Sequence, residues 1–491
     1  MNNPRRIIPS LACAASLAGA LGCSQFRSSK AIDEVSPASP AVPWNPTPEA
    51  RAEQKPTPPP EIPEKYRKEK TVLSLAEVID IALRNNPVTR ASWAQARSAA
   101  AVLGQKRSEY YPEIDFNGNI TREKTTGTGG RQAFFQTTHG PGATLSWLLL
   151  DFGGRSGDIE EARQALFAAD WAHNATLQNV VLDVTSSFYL YGNAKELLVA
   201  QEASVAESQR NYDAANERHA AGVSTIADVL QAKTALSQDT LALETVRGQI
   251  QTIRGELATA IGVPANIPVE IADLPETVDV ERVTGSIDAL IEEAQRERPD
   301  LGAARAAAEK AHTHIGTARA ELLPVISAFG SANRISYTSP SGVPYQTTYT
   351  GGIQLTVPIF DGWRRVYDVR QAEEDAKAAQ ALAETLEQRV ILQVWTSYFN
   401  VRTAAQRVHT SRDLLESAGQ AAEVTAGRYK SGVGSILDLL TSQRNLALAR
   451  AQDVQARSDW YQSVAQLAHD TGVLMPPSPP SAAPPAGKET P

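Results

Sequence analysis

Apolar residues recur every seven positions over unusually long stretches of this chain. One seam runs Leu177, Val184, Tyr191, Leu198, Val205, Tyr212, and a second Val394, Val401, Val408, Leu415, Ala422, Tyr429. Two more follow: Val229, Leu236, Leu243, Ile250, Leu257, and Leu439, Leu446, Trp460, Leu467, the latter broken by Asp453. Sustained heptads predict supercoiled helices that pack through a narrow stripe. The helix predicted from Gly154 to Ala220 would be ~100 Å long at 1.5 Å per residue, a rod no single globular core needs. Elsewhere the period drops to two. Ile114, Phe116, Gly118 and Ile120 alternate with Asp115, Asn117, Asn119 and Thr121, while Ala143, Leu145, Trp147 and Leu149 share a face. Ile353, Leu355 and Val357 alternate with Gln354 and Thr356. These patterns predict strands at about 113–122, 143–150, 325–334 and 351–358, with a Gly/Thr-rich loop over 123–142. The strand at 325 alternates poorly, so its facing stays open.

The pattern occurs twice. "AAGVSTIADVL" (220–230) returns as "KSGVGSILDLL" (430–440), and Arg218, Gly222, Val223, Ile226, Asp228, Leu230 and Leu236 recur 210 residues later. Ser74 and Glu77 form a capping-box pattern opening a short helix that stops at Pro87, and Ser286 opens its counterpart, which stops at Pro299. A second helix in each copy runs into Pro112 or Pro324. Gly222 and Gly432 can adopt the left-handed conformation that ends a helix, and Ser224 or Thr225 can cap the next. The repeated phrase is thus expected to be the tip of a long helical hairpin, made twice. Repeat 1 spans 73–263 and repeat 2 286–473, with "PANIPVEIADLPETVDVERV" inside the connecting segment 264–285.

Two hairpins packed on an ordinary core would explain the strands. In a membrane the reading changes, because four strands cannot close a barrel whose smallest examples have eight. An open edge in hydrocarbon is forbidden by its unpaired backbone groups, so two or more chains would have to share one barrel. The N-terminus supports an envelope location. Arg5 and Arg6, the apolar run Ile7–Leu21 and Gly22-Cys23 read as a secretory signal over 1–22. Cys23 resembles the lipid-modified Cys of the bacterial lipobox, with Ala20 where Leu is usual; plain cleavage without lipid is the other reading. Cys13 leaves with the signal. Residues 23–70 read as a Pro-rich linker and 475–491 as a disordered Pro-rich tail.

The net charge of −8, without any Lys/Arg block, argues against nucleic acid. No P-loop, H-E-x-x-H or G-x-S-x-G occurs, and the seven His are scattered, so neither an enzyme nor a cofactor is expected. His312 and His314 resemble a ligand pair, but side chains at i and i+2 of a helix point apart, so no metal site is expected.

The tandem unit itself, "NNP" and "RPD", "YYPEI" and "LLPVI", "LLDFGGR" and "PIFDGWR", and the two tips resemble the TolC-like outer-membrane factor family, lipoprotein branch, over about residues 73–473. The resemblance implies a mainly α chain with a β-barrel contribution. Three copies would form a homotrimer with a twelve-stranded barrel, a twelve-helix periplasmic tunnel and an equatorial layer at 264–285. It implies an exit duct in the Gram-negative outer membrane, lipid-anchored at Cys23 as by palmitate. A periplasmic adaptor (membrane fusion) protein and an inner-membrane pump would be its partners, in efflux or type I secretion. At the tips, Asp228 and Asp438 would form a ring of six carboxylates at the periplasmic gate, or else simply sit at helix N-termini favoured by the dipole. Tyr429 matches a Tyr that helps close the family's gate. Gly434 stands where some members carry Arg, Thr441 where they carry a second Asp, and Leu437 would supply an apolar constriction. Two rivals remain: a soluble periplasmic coiled-coil scaffold, and an enzyme carrying a helical rod.

Overall fold

The computed structural model describes residues 72–126, 133–274, 286–337 and 345–474, all within one compact unit, Pro60–Pro491. The signal segment, Cys23, the linker, residues 275–285 of the connecting segment and the tail lie outside the described residues.

Each repeat is two short helices, two strands and two long helices. Repeat 1 runs α1 (Leu75–Asn85), α2 (Pro87–Ser108), β1 (Glu113–Thr126), β2 (Ala133–Leu150), α3 (Gly154–Ala220) and α4 (Ile226–Ala260). Repeat 2 runs α5 (Ile287–Glu297), α6 (Pro299–Ala320), β3 (Val325–Tyr337), β4 (Tyr345–Thr356), α7 (Arg364–Lys430) and α8 (Ile436–Asp470). Ser74 caps α1 in the expected box: its Oγ accepts from the Glu77 N–H, and the Glu77 carboxylate accepts from the Ser74 N–H at 3.0 Å. Pro87 and Pro299 then occupy the first turns of α2 and α6, where a missing N–H removes no helical bond.

The long helices pair as α3–α4 and α7–α8, and α3 also packs on α8. The heptad seams are buried: Val184, Tyr191, Leu243, Leu257, Val394, Val401, Val408 and Leu439 are all nearly inaccessible. The largest core cluster joins α1 (Val78, Ile81), α3 (Val184, Phe188), α4 (Leu257) and the segment after it (Val269, Ile271). That segment is anchored at Leu73, whose N–H donates to the Glu270 carbonyl at 3.0 Å.

One joint recurs in both copies. The Asn86 amide, between α1 and α2, donates to the Ala260 carbonyl at the end of α4 at 3.1 Å. Arg298, between α5 and α6, donates to the Asp470 carbonyl at the end of α8 at 3.3 Å. The offsets match those of the repeat. "NNP" and "RPD" therefore mark a joint that fastens each short helix pair to the end of its hairpin.

The four strands form one antiparallel sheet in the order β1-β2-β3-β4. The predicted loop over 123–142 is corrected at 123–126 and 133–142, where pairing continues through Thr121↔Thr138 to Thr126↔Ala133; 127–132 lie outside the described residues. Gly140 and Gly142 serve close strand approach instead, since a Cβ at Gly140 would lie 1.7 Å from the Arg334 carbonyl oxygen. The fourth strand likewise begins earlier than expected, at Tyr345, and ends at Thr356. The register resolves the facing of β3. Ala328 sits opposite Trp147 and Ile353, on the face of Ile114, Phe116 and Ile120, while Phe329 joins the polar face and packs over Gly352.

At the base of the sheet, Arg155 explains "LLDFGGR". Its guanidinium is buried and donates to the carbonyls of Leu148 (2.6 Å), Leu149 (3.0 Å) and Glu109 (3.3 Å), beside the Asp151 carboxylate at 3.4 Å. It thereby satisfies the carbonyls at the irregularity that ends β2 and locks the sheet to the start of α3.

Candidate functional site

Both hairpin tips turn as the sequence requires. Gly222 (φ +75°) and Gly432 (φ +79°) are left-handed and follow α3 and α7. At each, the N–H of the next residue bonds back to the carbonyl of Arg218 or Arg428 at 2.9 or 3.0 Å. Thr225, rather than Ser224, caps α4, and Ser435 caps α8.

The two aspartates differ. Asp228 completes a capping box, its carboxylate accepting from the Thr225 N–H at 3.1 Å. The Asp438 N–H is held by the Ser435 hydroxyl at 3.1 Å, but its carboxylate is exposed and meets no partner among the described residues. The dipole reading thus describes Asp228 well, while Asp438 presents its charge outward. Leu437 is 61 % exposed and Val223, Ile226, Leu230 and Val433 are similarly open, so each tip carries apolar side chains to solvent.

Tyr429 brings the tips together, with a partner the sequence did not reveal. The Arg218 guanidinium lies over the Tyr429 ring at 5.0 Å and donates to the Tyr429 carbonyl at 3.2 Å. An arginine of the first tip therefore clamps the second. Arg218 was visible only as a recurring position, since its partner is 211 residues away. The Tyr429 hydroxyl is buried without a hydrogen-bond partner. Burial pushes the phenol up, the Arg218 guanidinium opposes this, and Asp228 adds to the rise.

Higher along the same contact, the break in the heptad proves to be a buried ion cluster. Asp453 accepts from Ser411 at 3.1 Å and from Arg457 at 3.1 Å, and Arg457 reaches across to Glu196 of α3 at 2.6 Å. Of the histidine pair, His314 contacts Glu161 at 3.0 Å, and no group of side chains among the described residues could hold a metal ion.

Among the described residues no helix is long and apolar enough to cross a membrane. The sheet has the opposite character. Ile114, Phe116 and Ile120 are 70–80 % exposed, and β1 and β4 have free edges. Such a sheet on two long coiled-coil hairpins is the architecture of an outer-membrane channel chain. The chain belongs to the outer membrane efflux protein family, whose model matches residues 78–263 and 290–473, one match per repeat. Protein CyaE of Bordetella pertussis is 27 % identical over 78 % of this chain and 80 % of its own length. The outer membrane protein TolC of Vibrio cholerae is 25 % identical over 82 % and 91 %. The Campylobacter jejuni CmeC outer membrane channel superposes with a TM-score of 0.72 at 18 % identity, covering 82 % of this chain and 87 % of that one. The soluble-scaffold and enzyme readings give way to an outer-membrane efflux channel component.

Proposed function

We propose that three copies of this chain form a passive exit duct, opened at its tips by a periplasmic adaptor and fed by an inner-membrane pump. The observation that carries this reading is the pair of unsatisfied strand edges on a sheet whose apolar face is bare. Three sheets supply twelve strands, enough for a closed barrel. The duplication also specifies the junction. Carrying Ala143↔Ala332 forward by the repeat offsets sets Ile353 of one copy against Ile120 of the next. The acylation of Cys23 belongs to the same proposal, as a tether at the membrane surface.

At the tunnel mouth, Asp228 and Asp438 from three copies form a six-carboxylate ring, Leu437 narrows the opening, and the Arg218–Tyr429 clamp holds the two tips of each copy together. The adaptor docks on the exposed apolar tips and on the adjoining groove of about 640 Å³, which Leu230, Thr234, Leu437, Leu440, Arg444 and Leu448 help to line. No covalent step is involved; the duct works by position and field. In planar bilayers under a salt gradient, Asp228→Ala with Asp438→Ala is expected to shift the reversal potential toward zero by reducing cation preference. An unchanged reversal potential would remove the carboxylate ring from the gate.

A further inference from the structure

The charges of the sheet are sorted by face and by height. Register places Ile114, Phe116, Ile120, Ala143, Leu145, Trp147, Ala328, Ile353 and Leu355 on one face. The same face continues, away from the helices, into Arg122 and Lys124, and carries Arg334 in the row of Gly118. No Asp or Glu occurs on it among the described residues. Glu113, Asp115 and Glu123 all point to the opposite, polar face, which is otherwise hydroxyls, amides, glycines and a few apolar side chains.

The three cations are also held alike. The Arg122 guanidinium lies 5.1 Å from the Phe135 ring centre, the Lys124 ammonium 5.6 Å from the same ring, and the Arg334 guanidinium 4.2 Å over Tyr345. Each sits on the apolar-face side of its own hairpin, in β1 or β3, with the ring in the strand paired to it. From Ile114 to Ile120 the apolar band is about 20 Å along the strand at 3.3 Å per residue, or roughly 15 Å of height at the ~40° tilt of outer-membrane strands. Arg122 and Lys124 follow directly beyond it, and Arg334, in the row of Gly118, lies within its outer part. Phe135 and Tyr345 take the place of the aromatic girdle. A ring that steadies a cation leaves its outer N–H groups free for oxygen acceptors.

We propose that this rim is a binding site for phosphorylated lipid headgroups of the outer leaflet, with Arg122, Lys124 and Arg334 as the phosphate ligands. The site rests on the sheet lying in the outer membrane. Several arguments favour a lipid over a soluble anion. The cations border a hydrocarbon-facing surface, they face away from the lumen, and they recur around a closed barrel. A bisphosphorylated glycolipid satisfies both halves of the surface, its acyl chains on Phe116, Ile120 and Ile353 and its phosphates on the guanidinium groups.

The test uses the full-length purified protein in zwitterionic phosphatidylcholine nanodiscs, with and without added lipid A. Native mass spectrometry and thermal midpoints read out binding. Lipid A is expected to remain bound and to raise the midpoint, and both effects should weaken with added salt. The combined Arg122→Gln, Lys124→Gln, Arg334→Gln variant is expected to bind it about a hundredfold more weakly, at about fivefold per lost cation. Its midpoint in phosphatidylcholine alone should match the wild type. Arg122→Lys with Arg334→Lys, which keeps the charge, should retain most of the binding. Equal binding by the triple Gln variant, or an equal shift with dephosphorylated lipid A, would overturn the site. Wild-type protein that does not enter phosphatidylcholine nanodiscs would overturn it together with the membrane placement of the sheet.

Discussion

Removing Arg457 isolates the ion cluster that interrupts the α8 seam. Its side chain is 12 % exposed, that of Asp453 10 % and that of Glu196 24 %. It makes one bond to Asp453 at 3.1 Å and two to Glu196, at 2.6 and 3.4 Å. Arg457→Ala leaves two carboxylates facing each other without a cation. Loss of one member of a buried pair costs about 3–5 kcal/mol, and the partial exposure of Glu196 puts this case near 3 kcal/mol. The effect depends on pH. Burial pushes the Glu196 carboxyl up, Arg457 holds it down, and Asp453 adds to the rise. A carboxyl raised above its unfolded value weakens the fold at neutral pH, and that penalty disappears as the pH falls below the unfolded value near 4. Taking Arg457 away enlarges the rise, so the variant should lose most near pH 7.5 and little near pH 4. Adding Asp453→Leu restores the residue of the first copy, Leu243, and should recover more than half of the loss. Guanidinium unfolding followed by helical circular dichroism, at fixed protein concentration, measures all three. A loss below about 1 kcal/mol, a loss independent of pH, or no recovery in the double variant would refute the reasoning.

Two further outcomes are expected. Gly222→Ala and Gly432→Ala should each cost about 1–2 kcal/mol in the same unfolding assay, from the left-handed backbone alone, because a Cβ at Gly222 meets nothing within 4 Å. Burial, reinforced by Glu270 and opposed by Arg254, pushes the Tyr191 phenol up to about 12. Since the unfolded phenol ionises near 10, stability should fall as the pH rises from about 10 to 12, and Tyr191→Phe should abolish that part of the decline along with a late step in the absorbance titration at ~295 nm.

The helical half of the molecule was legible because a seven-residue period over many turns admits few other solutions. The tips were legible for the same kind of reason: a left-handed glycine followed by a Ser or Thr cap is local chemistry. What escaped was long-range. Asp453 reads as a defect in its seam until Glu196 and Arg457 are brought beside it, and Arg218 has no visible purpose until the fold sets it on Tyr429. The hairpin over 123–142 was misjudged because Gly140 and Gly142, turn-formers by local preference, serve tight inter-strand contact. Phe329 misled for a related reason: its ring covers Gly352 on the polar face, blurring the alternation of β3.

The recurring joint has a consequence for ancestry. Two unlike side chains, an amide and a guanidinium, reach corresponding carbonyl oxygens at corresponding places, so the attachment predates the divergence of the halves. A progenitor of half this length would have needed six identical subunits to complete the ring proposed here for three. Fusion then freed each half to specialise, and the charged joint at Arg298 beside the neutral one at Asn86 records that freedom.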